Sequence, residues 1–360
     1  MPRLSNSTIL KAHQQHPLLP LLLRECRSPD SAKNELRWLQ EKANRLISFK
    51  KATRSTHAPL GWRRLLNSMC HTRSRGMPLQ YILGDQPFGD LEILCQRGVL
   101  IPRAETETFT IHTAKLILDS IRGQCRESEQ ERCLRIVDLC TGSGCIALLL
   151  HGLLAPYIHR LSILGIDLSP TAIGLAKKNL AHNIQLGLLS KRATTEIAFQ
   201  RGNVLTYNDS ELGVQEVIRN FQWLPSDLQS HCDVLISNPP YISPESFRDG
   251  TTSRSVRAFE PKLALVPSLD TSTIALGIEN QEDLFYYHII LLSFKLCAKL
   301  VVLECGSRSQ AGRVATITRA LISGYRPNTL VSIEIWPSTG TVTNGDICCE
   351  DDPCVVVLRE

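Results

Sequence analysis

The chain reads as an α/β protein in which a small helical front precedes an open, mostly parallel sheet with helices on both faces. Three observations predict this. Short apolar runs alternate with helical patterns from Leu134 onward, as repeated β-α units require. A glycine turn, Asp138-Leu139-Cys140-Thr141-Gly142-Ser143-Gly144, ends the first run, and Gly165-Ile166-Asp167-Leu168-Ser169 ends the second. A later run, Val234-Leu235-Ile236, stops at Asn238-Pro239-Pro240-Tyr241, where two prolines can continue neither a helix nor a central strand.

The 360 residues allow about two domains, and 43% hydrophobic with 21% charged residues is the composition of a soluble protein with a sizeable core. Thirteen cysteines occur without a C-x-x-C pair, so neither a zinc or redox site nor a disulfide framework is expected. A reducing compartment and mostly buried thiols fit this usage. No run approaches the ~20 apolar residues of a membrane-spanning helix.

Charge is unevenly placed. Residues 1–77 hold fifteen Lys and Arg against four Asp and Glu, a net of +11, and a whole-chain charge of +5 leaves −6 for the remainder. Such a front fits contact with an anionic partner, an import signal, or simply a solvated helical face. The first 24 residues contain Arg3, Lys11 and Arg24 and no acid before Glu25, as in a mitochondrial presequence, although Pro17 and Pro20 interrupt a long amphipathic helix. Residues 1–30 are therefore read as a basic leader.

The elements follow in order. Leu36, Leu39, Ala43 and Leu46-Ile47 recur at helical spacing, and Leu60–Met69 predicts a second helix, giving a helical domain over 31–77. Residues 78–107 change period: Leu91–Leu94 and Val99–Ile101 predict short strands around a turn at Phe88-Gly89-Asp90, a hairpin bridge. Thr108–Ile121 reads as a helix and Arg122–Arg132 as a charged linker. Strands are predicted at Leu134–Leu139, Leu161–Ile166, Ile197–Gln200, Cys232–Ile236 and Leu300–Glu304. Helices are predicted at Cys145–Leu154, Pro170–Asn183, Leu284–Cys297 and Arg308–Ile322. Val331–Trp336 and Cys354–Leu358 should close the sheet as an antiparallel pair around Asn344-Gly345. Thr206–Ser230 looks inserted ahead of the strand that ends at Asn238.

Ligands of open α/β sheets bind outside the carboxyl ends of the strands. Gly142 and Gly144 allow a tight turn and close backbone approach, and the following helix offers free N–H groups. The G-x-G-x-x-G fingerprint is incomplete, with Ala147 in the last position, which favours a ligand without a pyrophosphate. Asp167 lies 23 residues after Gly144, near the offset at which an acid reaches ribose hydroxyls, or it caps the helix at Pro170 in competition with Ser169. Asn203 and Val204 should follow the third strand, placed either to meet an adenine ring or to make an ordinary Gly-Asn turn. Asn238 and the Pro239 carbonyl suit a planar amide or amino group held for attack on a methyl donor.

These residues resemble the HemK/PrmC-type protein-(glutamine-N5) methyltransferases. The resemblance runs from about Arg75 to the C-terminus. It rests on Pro78–Gly84, Phe88-Gly89, Ile101-Pro102-Arg103-Ala104-Glu105-Thr106-Glu107, the glycine turn, Asp167 and NPPY, then Phe259–Leu265 and Leu303-Glu304-Cys305-Gly306 with Gln310. Cys140, Ala104 and Asn203-Val204 depart from the family pattern, the first mildly because a small side chain still fits, and Val266–Gln281 lacks its Gly-rich segment.

The resemblance implies a seven-stranded Rossmann-like class I methyltransferase sheet over 108–360. It implies S-adenosyl-L-methionine as donor, held by Asp138, Cys140, Thr141, Gly142, Ser143, Gly144, Asp167, Asn203, Val204 and Asn238. Asn238, Pro239, Pro240 and Tyr241 would be catalytic. Arg103, Glu105 and Glu107 would line the substrate entrance, brace the catalytic loop or form structural ion pairs. The substrate would be the Gln of a Gly-Gly-Gln loop in a peptide-chain release factor, gripped by the helical front, with the mitochondrial matrix favoured over the cytoplasm. Two rivals remain: a nucleic-acid amino-methyltransferase acting on adenine N6 or cytosine N4, and a non-catalytic methyltransferase-like binding subunit.

Overall fold

The computed structural model describes residues 4–52, 61–123, 133–206, 213–222, 231–268, 278–327, 329–337 and 352–360. It divides into two compact units: Met1–Gln86 with Cys95–Arg97 and Ser253–Glu260, and Pro87–Leu94 with Gly98–Thr252 and Pro261–Glu360.

The first unit contains helices Asn6–Gln15, Leu19–Cys26, Pro29–Ala52, Trp62–Ser74 and Leu79–Leu83. Ser5 caps the first, its Oγ accepting the Thr8 N–H at 3.2 Å. Leu36, Leu39 and Ala43 are buried as their spacing requires, against Leu22, Leu23, Leu66 and Cys70. Leu22 and Leu23 are fully buried, so the compact unit takes in a helix that lies ahead of the expected boundary at Ser31. Arg73 ties the two longest helices together, donating from Nε and Nη2 to Glu35 at 2.8 and 2.9 Å.

β1 (Asp85–Phe88) and β2 (Leu91–Leu94) form a two-stranded sheet. Two amides one helical turn apart hold β2 as a neighbouring strand would. Asn183 exchanges Oδ1 and Nδ2 bonds with the Glu92 backbone, both at 3.0 Å, and Asn179 Oδ1 accepts the Leu94 N–H at 2.7 Å. Val99–Ile101, expected as a strand, forms no ladder, and its apolar run instead packs Val99 and Ile101 into the core. The next helix spans Ala104–Gly123, four residues earlier than expected at its start, because Glu105 and Glu107 suit a first helical turn.

The main sheet contains β3 (Cys133–Leu139), β4 (Arg160–Asp167), β5 (Ile197–Arg201), β6 (Val234–Ser237), β7 (Leu300–Cys305), β8 (Ser332–Pro337) and β9 (Cys354–Arg359). Its order is β5-β4-β3-β6-β7-β9-β8, parallel except that β9 runs antiparallel to both neighbours. Within the sheet this is 3-2-1-4-5-7-6, the class I methyltransferase arrangement expected from the sequence. Alternation along β3 sends Ile136 to one core and Val137 and Leu139 to the other, so both faces are covered. The closing antiparallel pair forms as expected, while Asn344-Gly345, residues 124–132 of the linker and much of 206–230 lie outside the described residues. Of that last segment, Val214–Asn220 is a helix.

Strand order reverses between β3 and β6, which opens a crevice at their carboxyl ends. Leu139 pairs with Ser237 in register, and Ser237 Oγ donates to the Leu139 carbonyl at 2.8 Å. The glycine turn and the Asn238 loop therefore leave the sheet side by side.

Candidate active site

The turn after β3 is closed by its own backbone. Thr141 N–H donates to the Ile166 carbonyl at 3.0 Å, and Gly144 N–H donates to the Thr141 carbonyl at 2.8 Å. Cys140, Gly142 and Gly144 all have positive φ, of 58°, 56° and 81°. Cys140 thus departs from glycine in backbone cost as well as size, roughly 1–2 kcal/mol for a non-glycine residue in the left-handed region. A Cβ on Gly144 would lie 2.9 Å from Phe199 Cζ and 3.0 Å from Ala176 Cβ, so this glycine is required twice over.

Two carboxylates flank the turn. Asp167 Oδ2 accepts the Gly142 N–H at 2.9 Å and Oδ1 accepts the Ser169 N–H at 2.8 Å. Burial raises the Asp167 carboxyl above its ordinary range, against these two donors. The helix Pro170–Gln185 is capped by Ser169, whose Oγ accepts the Ala172 N–H, so Asp167 is not the cap. Asp138 is fully buried. Burial pushes its carboxyl up to about 7, although the Thr141 hydroxyl and the Ala147 backbone favour the charged form. Thr141 Oγ1 donates to Asp138 Oδ2 at 2.5 Å, while Oδ1 has no hydrogen-bond partner among the described residues. Burial and the Asp167 charge push the Cys140 thiol up.

Beyond β6, Asn238 Nδ2 donates to Thr106 Oγ1 at 3.1 Å, and Thr106 Oγ1 donates to Glu304 Oε2 at 2.7 Å. Tyr241 OH donates to Glu304 Oε1 at 3.2 Å. Gln310 Oε1 accepts the Gly306 N–H at 2.9 Å and its Nε2 donates to the Tyr241 carbonyl at 3.3 Å. The tyrosine ring sits so close that a Cβ on Gly306 would meet Tyr241 Cδ2 at 2.8 Å. Glu304, 2% exposed, is pushed up to about 7 by burial.

Some of these parts line one cleft, while Asp138, Pro239, Tyr241, Glu304 and Gln310 are not among its lining residues. Cys140, Thr141, Gly142, Ser143 and Asp167 line it together with Arg103, Thr106, Asn238 and Pro240. Asn203 and Val204 reach the lining too, but the Asn203 amide is engaged in its own turn, bonding Thr206 Oγ1 and the Leu205 N–H. Glu105 and Glu107 are not among the lining residues. Thr106 lines the cleft and contacts Asn238, a placement the sequence does not mark, since it shows only a threonine between two acids. Among the described residues no cluster of His, Cys, Asp and Glu is placed to hold a metal ion, and no helix is long and apolar enough to cross a membrane.

No protein-family profile matches the chain. Curated relatives do. The mitochondrial MRF1 N(5)-glutamine methyltransferase MTQ1 of Saccharomyces cerevisiae is 36% identical over 302 residues, covering 80% of this chain and 76% of its own. The probable mitochondrial counterpart of Schizosaccharomyces pombe is 33% identical over 325 residues, covering 88% and 89%. A release factor glutamine methyltransferase of Nitratidesulfovibrio vulgaris is 33% identical over 233 residues, covering 64% of each chain. Among solved structures, the N-terminal domain of human METTL16 aligns with a TM-score of 0.45 at 16% identity over 81% of each chain. Strand order, not that likeness, identifies the fold. Sequence and relatives together place this chain in the N(5)-glutamine methyltransferase family.

Proposed function

We propose that this protein transfers the methyl group of S-adenosyl-L-methionine to N5 of the Gln in the Gly-Gly-Gln loop of a mitochondrial peptide-chain release factor. The reading is carried by the Asn238 carboxamide, held in the lining of a cleft that the glycine turn and Asp167 also line. The names of the relatives support the substrate and the compartment.

The cleft fits the donor. The glycine turn leaves room for close approach at Gly142, where an added Cβ would meet only the Cys140 carbonyl at 3.9 Å, and Asp138, fully buried and outside the lining residues, sets a carboxyl behind it. Asp167 stands at the turn as the acceptor for ribose hydroxyls, with Val204 and Leu168 as apolar surface. The bound donor supplies a methyl group made electrophilic by its sulfonium.

A glutamine amide nitrogen is a poor nucleophile because its lone pair is delocalised into the carbonyl. Asn238 Oδ1 and the Pro239 carbonyl accept its two N–H bonds, orienting the lone pair toward the methyl and favouring pyramidalisation. Pro239 suits this role because its following residue is also proline, so no N–H competes there. Alignment and fixed dipoles supply most of the acceleration. No strong base acts before transfer, since the nitrogen becomes acidic only as charge develops on it, and one of its two protons then leaves to solvent. Tyr241 packs against the amide plane. Arg103 borders the substrate side, and Glu105 and Glu107 brace the helix start beside it. The basic helical unit meets acidic surface on the release factor.

The test is incubation with methyl-labelled donor and, separately, a mitochondrial-type release factor, its Gly-Gly-Gln→Gly-Gly-Ala mutant, and mixed DNA and RNA. Label on the wild-type factor alone supports the reading. Label only on nucleic acid replaces it with a base amino-methyltransferase.

A further inference from the structure

The mechanism needs the oxygen of the Asn238 carboxamide, not its nitrogen, to face the substrate. A carboxamide is nearly symmetric in shape, so packing alone cannot choose between its two flips. Hydrogen-bond polarity can.

Thr106 has one hydroxyl proton. Its Oγ1 lies 2.7 Å from Glu304 Oε2 and 3.1 Å from Asn238 Nδ2. When Glu304 is ionised it can only accept, so the Thr106 proton goes to Glu304. The hydroxyl then offers Asn238 a lone pair and nothing else, and the amide must answer with its NH₂ end. Oδ1 is turned away from Thr106. We infer that Glu304, acting through the Thr106 hydroxyl, is the positioning residue that fixes the flip of the Asn238 carboxamide and so its acceptor toward the substrate amide.

The placement of Glu304 supports this. It sits near the end of β7, beside β6, where its own carbonyl accepts the Tyr286 hydroxyl at 2.7 Å. Its second oxygen takes the Tyr241 hydroxyl, so one carboxylate reaches both ends of the Asn238–Tyr241 loop. Among the described residues it has no ion-pair partner within 4.0 Å; the charges that act on it are Arg103 and Glu105. A buried carboxylate without a paired cation is costly, and a glutamine would fill the same space at lower cost. What glutamine cannot do is accept from both hydroxyls with both of its terminal atoms.

Without the carboxylate, or without the hydroxyl, the chain loses its polarity. Freed, the Thr106 proton can serve Asn238 Oδ1, and the flipped amide would aim N–H groups at the N–H groups of the substrate. The inference rests on the Asn238 role proposed above, and the experiment separates the two. Thr106→Val, Thr106→Ser, Glu304→Gln, the Thr106→Val/Glu304→Gln double variant and Asn238→Ala are compared for kcat and KM on the release factor. Donor affinity is measured calorimetrically on each. T106V and E304Q should each lower kcat by roughly 10- to 100-fold with donor Kd within about twofold, since an alignment error acts on the chemical step. T106S should recover most of kcat, and the double variant should be no slower than the slower single one, as expected of residues in one chain. Unchanged kcat in T106V or in E304Q, failure of serine to rescue, or losses that add would overturn the inference. If N238A itself turns over normally, the Asn238 reading falls first and the positioning role with it.

Discussion

Asp167 accepts a hydrogen bond from the Gly142 backbone, 2.9 Å long, so the acid that ends β4 fixes the turn that follows β3. One oxygen takes the turn and the other takes Ser169. The carboxylate therefore shapes the turn, the proposed donor site, before any ligand is present.

Asp167→Ala should weaken donor binding at least tenfold, about 1.4 kcal/mol, because it removes a ligand acceptor and loosens the turn together. Asp167→Asn keeps one acceptor oxygen and should fall between wild type and alanine. Isothermal titration with S-adenosyl-L-methionine reads both; equal affinity of D167A and wild type would remove Asp167 from the donor site.

Stability and turnover should move in opposite directions with pH. Asp138 and Glu304 are each raised from the ordinary carboxylate range to about 7. The folded protein holds these protons more tightly than the unfolded chain, so their contribution to stability is full below the ordinary range and is lost as pH rises through about 7. Thermal unfolding should accordingly show a loss across that window, and Asp138→Asn and Glu304→Gln should each flatten part of it. If Glu304 holds the positioning role proposed above, turnover needs it ionised and should rise across the same window. In T106V that rise should shrink, because the carboxylate no longer reaches Asn238.

Gly144→Ala should cost about 2–4 kcal/mol, from a left-handed φ and a Cβ forced into Phe199 and Ala176. Chemical denaturation measures the cost. Gly142→Ala, whose Cβ would meet only the Cys140 carbonyl at 3.9 Å, should cost less.

Arg73→Ala should destabilise the helical unit by about 3–5 kcal/mol, because it leaves Glu35 buried and unpaired. Replacing both partners with apolar residues of similar size should recover much of the loss. A urea titration followed by helical circular dichroism would show it, and a single variant as stable as the double would argue that water reaches Glu35.

The sequence by itself determined the β-α alternation, the glycine turn, Asp167 and the Asn238 loop, and their order along the chain. These are local features. A buried parallel strand is an unbroken apolar run, and its end is marked by glycine or proline within a few residues. The helix Cys145–Leu154 has the bounds its periodicity predicted, and β3 to β7 fall within two residues of the expected bounds.

Only the tertiary structure decided what those strand ends face. Thr106 meets Asn238 across 132 residues of chain and Glu304 across 198, and Asn179 meets β2 across 85. No spacing rule links such positions, because sheet register and helix packing bring them together. The joining of Leu22 and Leu23 to the helical core is of the same kind: a short apolar run near Pro20 does not show which partner will cover it. Sequence patterns report local backbone preference and burial, whereas the direction of a hydrogen bond between distant side chains exists only once the sheet order has placed its donor and acceptor.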